Sequence, residues 1–448
     1  MLFVLGVLVI VVGVALSIAL HEIGHLVPAK KFGVKVSQYM VGFGPTVWSR
    51  RKGETEYGVK AIPLGGYVRM IGMLPPRAGD APGQLRTLST GRFSQMMDQA
   101  RADSMEEVGA GDEDRVFYKL APWKKIIVMS GGPLMNLVIA AVLLTGTITL
   151  YGLPQVVPVV GALSTCVPTA AATVDNPQPE CQPGDPLAPS QAAGLQPKDR
   201  ILSVDGRPVT TWDEVSGAIR DSMGASMVFV VQRGEEQLTL DVQPAVLDRA
   251  TYTEDGKAIV QDGRLVTQKM GFLGVVPRQE VVKQPLSSAP QFVWDRTVDT
   301  ASIIVKIPEK MVGVVQAAFG EGERDPNGPI SVVGVGRIGG EVAALEIPAE
   351  EGGNWVKIAQ LVLLVASLNL ALFVFNLIPL LPLDGGHIAG ATWEAVKRGF
   401  ARVFRRPDPG FVDVAKGLPI AYGMSMVLIV MSVLLIYADI VKPINLFG

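Results

Sequence analysis

Four apolar runs, residues 2–20, 126–150, 358–383 and 418–438, constrain what this chain can fold into more than any other feature. A helix needs about 20 such residues to cross roughly 30 Å of hydrocarbon, so each run is read as a transmembrane helix. Composition agrees: 48% of the 448 residues are apolar and only 18% charged, too apolar a balance for a soluble enzyme of this length. The first run lacks a basic start and a small-residue cleavage site, so it is read as a membrane anchor and not as a signal peptide. A formal net charge of −2 provides no basic field to attract nucleic acid, which is excluded as a partner. The lipid bilayer is the first partner expected.

Lysine and arginine set the orientation, because cytoplasmic loops retain positive charge. Residues 26–125 hold 16 of them, residues 384–416 hold 6, and the far longer stretch 152–356 holds 16. The first two stretches are expected inside and the third outside, with both chain ends facing outward. The reading is a multi-pass protein of the cell inner (plasma) membrane. Its helices cover 1–25, 126–150, 357–384 and 417–440, and its cytoplasmic loops cover 26–125 and 385–416. The only two cysteines, Cys166 and Cys181, fall in the stretch placed outside, where oxidation is permitted. They either bridge or remain thiols, since spacing alone does not decide pairing.

Within the first loop, residues 57–71 combine β-prone residues with a Pro-Leu-Gly-Gly break, and read as a membrane-associated β-hairpin folded at Gly65 and Gly66. Residues 75–114, rich in Gly, Pro, Ser and mixed charge, read as a flexible insertion without chemistry. The second run opens Ser130-Gly-Gly-Pro-Leu-Met-Asn136, small residues that allow close helix approach and an amide that must face protein or water.

Outside the membrane, Ala192-Ala-Gly-Leu-Gln-Pro-Lys-Asp-Arg-Ile-Leu-Ser-Val-Asp-Gly206, then a short helix and two strand-like runs, looks like an inserted α+β PDZ domain over 155–245. Such a domain takes a peptide or partner as an added strand, or here serves only as a spacer or steric plug. Residues 246–356 follow, and 285–319 carry apolar side chains at helical spacing. They read as an amphipathic helix that lies on the outer face or packs beneath the PDZ domain.

The chemistry centres on His21-Glu22-Ile23-Gly24-His25, which uses two of the chain's three histidines at the end of the first apolar run. Four residues apart on a helix, both imidazoles leave one face and can chelate one metal ion, with Glu22 beside them as a base. Ionisable groups at membrane depth are functional by default; the bland alternative is a buried polar cluster without metal. Catalytic zinc takes three protein ligands. The third run ends Asn376-Leu-Ile-Pro-Leu-Leu-Pro-Leu-Asp384-Gly-Gly-His387, and its two prolines predict a broken helix around a hydrated pocket. Asp384 is preferred as third ligand, because a carboxylate completes a two-histidine zinc site; His387 is the rival or a hydrogen-bonding support, and Asn136 a second support. If the helix is continuous, Asn376 lies about two turns before Asp384 and shares its face.

Taken together, the histidine motif, Pro63-Leu-Gly-Gly-Tyr67, Gly132-Pro133 with Asn136, the PDZ pattern, Gly328-Pro-Ile330 and the Asn376 to Gly385 motif resemble the site-2 protease family of intramembrane zinc metalloproteases. They match its bacterial RseP-like branch in order, from the first run to the third. The chain departs from two-PDZ members in having one recognisable PDZ pattern. The resemblance implies Zn2+ on His21, His25 and Asp384, Glu22 as general base and acid, and substrate backbone held by Asn376 and by the hairpin at Gly65 and Gly66. It further implies cleavage of single-pass transmembrane proteins after a first cut, with anti-sigma factors or remnant signal peptides as substrates and the outer domain as a size filter. A catalytically silent PDZ-bearing scaffold would not need Glu22. A metal transporter would carry polar sites along the bundle and not at one depth.

Overall fold

A computed structural model describes residues 1–76, 92–106, 108–174, 176, 179–252, 258–261, 264–320, 324–325, 328–348 and 353–444. They form two units, Met1–Leu150 with Pro285–Gly448, and Tyr151–Gln284. Four helices, Leu2–Lys31, Pro122–Tyr151, Gly353–Asn376 and Val414–Val441, are long and apolar enough to cross a membrane, and a β-rich unit is inserted between the second and third.

The chain begins with α1 (Leu2–Lys31), uncharged until Glu22, with Lys30 and Lys31 in its last turn, where cations favour the helix dipole. Next come β1 (Val36–Lys52) and β2 (Thr55–Met70), which pair antiparallel. This corrects the hairpin expected within 57–71. The tight turn lies at Gly53 and Glu54, where Lys52 pairs with Thr55, and Gly65 and Gly66 sit inside β2. Gly65, at φ +98°, lets β2 bend between its pairings: Thr46 to Lys52 of β1 face Lys60 to Thr55, Gln38 to Val41 face Glu56 to Val59 on one side, and Val36 to Val41 face Met70 to Gly66 on the other. Tyr39 Oη donates to Ala19 O at 2.8 Å, fastening the sheet to α1.

The insertion expected over 75–114 is also corrected. Residues 77–91 and 107 lie outside the described residues, but Arg92–Glu106 form α2. Arg101 of α2 is buried and pairs with Asp413 at 2.6 Å and Asp98 at 3.3 Å. Further on, Asp112 accepts from Lys35 and Arg115, and Arg115 also pairs with Glu54. Tertiary ion pairs override a composition that reads as loop. Then α3 (Pro122–Gly146) runs on through a wider turn to Tyr151.

The second unit runs from Tyr151 to Gln284. Its elements are β3 (Leu153–Leu163), α4 (Pro189–Ala192), β4 (Arg200–Val204), β5 (Arg207–Pro208), α5 (Trp212–Asp221), β6 (Met227–Arg233), β7 (Glu236–Val242), β8 (Ala245–Ala250), β9 (Val260–Gln261), β10 (Arg264–Leu265), β11 (Thr267–Phe272) and β12 (Val275–Val282). Its main sheet has the order β12-β3-β4-β6-β7, with β5 beside β4. Val160, Ile201, Phe229, Val231 and Val242 from the sheet and Val215 and Ile219 from α5 bury one core. α5 opens with a capping box, Thr211 accepting from Glu214 N while the Glu214 carboxylate accepts from Thr211 N. The sheet exceeds the 155–245 boundary expected from sequence, because β12 returns from well past β7 to pair with β3. Cys166 and Cys181 form a disulfide.

The chain re-enters the first unit through α6 (Ala289–Val305) and α7 (Ile307–Phe319). The single amphipathic helix expected here is broken, because Pro308 at the start of α7 supplies no N–H to the turn before it. α6 packs on α9 (Gly353–Asn376) and α3, and α7 on α11 (Leu418–Val441) through Val314, Ala318, Leu435 and Ala438. Between them, the glycine-rich α8 (Val332–Ala344) lies along α1, with Gly339 against Gly6 and Ile10. The third span ends as a helix at Asn376 and not at 384. Pro379 and Pro382 interrupt the hydrogen bonding, and α10 (Asp384–Val403) starts afresh at Asp384.

Candidate metal centre

Three helices bring the chemistry together. His21 and His25 leave one face of α1 with their rings edge to face, centroids 4.9 Å apart. α3 crosses α1 at glycines: a Cβ on Gly24 would strike Gly131 O, one on Gly131 would strike Gly24 O, and one on Gly132 would strike His25 Nε2. Only bare backbone permits this approach. It sets Val128 O 2.8 Å from His25 Nδ1 and the Asn136 amide 3.1 Å from His21 Nδ1. α10 contributes Asp384 from its first turn. Gly385 and Gly386 lie so close to Ile378 O, Leu380 and Leu381 that side chains there would prevent the preceding loop from folding back over the helix start.

Asp384 Oδ2 lies 3.4 Å from His21 Nε2 and 3.4 Å from His25 Nε2. The two Nε2 atoms are 3.2 Å apart. Zinc at about 2.0–2.1 Å from each donor requires tetrahedral edges of about 3.3–3.4 Å, so this triangle fits the ion. The tautomers fit as well. Val128 O can only accept, so His25 carries its proton on Nδ1 and offers the Nε2 lone pair to the centre. Asn136 is fully buried with its Oδ1 unpartnered; turning the amide end for end points that acceptor at Nδ1–H of His21 and gives His21 the same tautomer.

Glu22 is buried beside the triangle. The sheet comes close to it here: a Cβ on Gly66 would lie 3.0 Å from Glu22 Cγ and 3.0 Å from Met40 O. The β2 segment from Gly66 to Arg69 pairs with Val41 to Gln38 on one side, and its other edge has no strand partner among the described residues. Gly66 thus stands next to Glu22, and Gly65 before it lies against the Phe43 ring.

Two further residues singled out from sequence are placed differently. Asn376 is the last residue of α9, and the break that follows removes the two-turn register to Asp384. His387 is not among the three side chains whose donor atoms converge, and it makes no hydrogen bond among the described residues. The close approach expected at Gly131-Gly132 is made to α1; the Val128 carbonyl and Gly24 as the partner of that crossing were missed, although a glycine inside the histidine motif is a readable signal. Ser17 and Asn369 were missed too. Asn369 Nδ2 donates to Ser17 Oγ at 2.8 Å and joins α9 to α1, its signal being polar residues inside apolar runs.

Comparison with known proteins adds the family. Residues 9–405 match the model for "Peptidase family M50". The chain is 34% identical to the zinc metalloprotease Rip1 of Mycobacterium tuberculosis and 33% identical to Rip1 of Mycolicibacterium smegmatis, each alignment covering 100% of both chains. It is 26% identical to a putative zinc metalloprotease of Brucella suis over 84% of this chain and 82% of that one. With a donor triangle that fits zinc and a family match over most of its length, the chain is a membrane zinc metalloprotease belonging to peptidase family M50, the site-2 protease family.

Proposed function

We propose that this protein cleaves peptide bonds within or beside the membrane-spanning segments of single-pass proteins, using His21, His25 and Asp384 to hold zinc and Glu22 as general base and acid. The observation that carries the proposal is the donor triangle of 3.2 and 3.4 Å edges with Glu22 buried at its side. Zinc held there supplies a Lewis acid that polarises the scissile carbonyl and makes attacking water more acidic. Glu22 takes the proton from that water and returns it to the leaving amine. Asn136 and the Val128 carbonyl fix the imidazole tautomers, so both lone pairs are ready without reorganisation.

A substrate helix hides its scissile carbonyl in its own hydrogen bonds and must be extended first. The open edge of β2 at Gly65 and Gly66 accepts the extended segment as an added strand, and the absent side chain at Gly66 is what lets that edge lie against Glu22. Asn376, at the last turn before the proline break, holds substrate backbone from the other side.

The metal end of the bundle faces the cytoplasm, as its loops' positive charge requires. The second unit lies outside, where its disulfide is permitted. That unit is a PDZ domain closed by β12, and it excludes substrates whose outer domains are intact. The substrates are thus remnants of a first cut, of the anti-sigma-factor or signal-peptide kind. Purified protein with a truncated single-pass peptide tests the core of the proposal. Glu22→Gln should keep zinc by metal analysis and lose turnover; equal turnover by both proteins would refute it.

A further inference from the structure

The helix that begins at Asp384 ends in a surface the protease chemistry does not use. Trp393, Val396, Phe400 and Val403 recur every three or four residues along one face of α10, and Phe404 follows at its C-cap, with exposures from 53% at Phe400 to 76% at Val403. This is not a loosely held helix. Its opposite face buries Ala391, Glu394 and Ala401, and Glu394 receives Lys125 Nζ at 2.9 Å, Arg398 at 3.0 Å and Val412 N at 3.2 Å. Phe400 and Phe404 stack on each other with centroids 4.2 Å apart, and Arg406 lies over Phe400.

The bond to Lys125 fixes the level of the stripe. Lys125 stands in the first turn of α3, two residues from Trp123, which is 56% exposed. α10 continues nine residues past Glu394, about 14 Å at 1.5 Å per residue, beyond the end of a membrane-length helix. Lys397 flanks the stripe, Arg402, Arg405 and Arg406 gather at its C-terminal end, and none of the four makes an ion pair among the described residues. The two acids nearby are already engaged, Glu394 by Lys125 and Arg398, and Asp408 by Arg398. An apolar face with an unneutralised cationic rim, at the end of a membrane bundle, matches the acyl–headgroup boundary of an anionic leaflet. We propose that the second half of α10 is a binding site for anionic phospholipid headgroups, with Trp393, Val396, Phe400 and Phe404 seated among the acyl chains and Arg402, Arg405 and Arg406 on the phosphates.

The full-length chain, reconstituted in vesicles of phosphatidylcholine and phosphatidylglycerol, tests this with the bromine label carried by one lipid or the other at equal overall composition. The share of tryptophan quenching removed by Trp393→Phe reports on this helix alone. That share should be larger when phosphatidylglycerol carries the bromine. The excess should vanish in Arg402→Gln/Arg405→Gln/Arg406→Gln. In the unmutated protein it should vanish at about 1 M salt, where screening acts within about 3 Å. Equal quenching from both lipids, or an excess that survives the triple variant and the salt, overturns the proposal. Absent quenching with residues 393–406 protected from hydrogen exchange also overturns it, because a protein surface or a second copy then covers the stripe.

Discussion

Replacing Gly132 by alanine should abolish zinc binding while leaving the helices in place. The added methyl would lie 2.7 Å from both Cε1 and Nε2 of His21 and nearer still to His25 Nε2. Ordinary carbon contacts begin near 3.4–3.5 Å, so the rings must retreat by at least about 0.7 Å. Metal–donor distances hold to about 0.2 Å, and a displacement several times that size takes a donor out of reach. Moving α3 away instead opens the Gly24–Gly131 crossing and withdraws Val128 O and Asn136 from the imidazoles. Loss of such outer partners alone lowers metal affinity by about 10–100-fold, so Gly132→Ala should fall below that range. Overpacking itself costs about 1–3 kcal/mol, which the four-span bundle should survive as judged by its helical circular dichroism. The assay is zinc retained per protein across a series of competing chelator concentrations. Gly146→Ala serves as the control, since it lies in the same helix and an added Cβ there meets nothing within 4 Å. A Gly132→Ala protein with unaltered zinc affinity would refute the crossing as the device that sets the donor triangle.

Tyr67→Pro and Val68→Pro test the strand edge. Successive N–H groups along an antiparallel strand point to opposite edges, so one variant breaks the ladder to β1 and the other removes only an outward donor. The outward one should keep its zinc and lose cleavage of a single-pass peptide; full cleavage by both would remove the strand-addition reading. Deleting Tyr151–Gln284, the complete second unit, should let the enzyme cut substrate that still carries its outer domain, and continued resistance of that substrate would end the filter role. Acid should weaken the second unit through Glu214, whose carboxylate is held below its ordinary pKa of 4.5 by hydrogen bonds from the Thr210 and Thr211 backbone. A group with a depressed folded pKa contributes stability above its unfolded pKa and loses it as pH falls toward the folded value. Glu214→Gln should therefore unfold with a flatter pH dependence below about 4.5 than the unmutated chain, and identical acid profiles would contradict the capping account.

How much of this was legible depends on how local the signal is. The four spans and the histidine pair could be read because apolar length and a four-residue spacing are properties of contiguous sequence. Asp384 could be placed at a similar depth because the loop charges put it and the histidines at the cytoplasmic ends of their runs. The sheet beside α1 could not be read the same way. β1 carries Gly42, Gly44 and Pro45 in its middle and ends in Arg50-Arg51-Lys52, and its pairing with β2 shifts register repeatedly, so no clean alternation announces it. α2 escaped notice because Arg101 finds its partner 312 residues away at Asp413, and no window of sequence contains both. β12 was overlooked for a similar reason: its partner β3 opens the unit that β12 closes.

The proline break also changes the electrostatics at Asp384. A carboxylate in the middle of a continuous helix would face apolar surroundings with every nearby N–H already bonded. Ending α9 at Asn376 and restarting at Asp384 creates a new helix N-terminus at the depth of the imidazoles. Its unbonded N–H groups and positive dipole end favour a negative group by about 0.3–1 kcal/mol at exposed sites and up to about 2 where partly buried. A negative group is therefore better placed at Asp384 than it would be in the middle of a continuous helix. Gly385 and Gly386 are then required by the same break, because the loop can reach back over the new helix start only where no side chain stands. The Asp-Gly-Gly run is therefore one structural solution: a charge, and the two absences that allow a helix to begin beneath it.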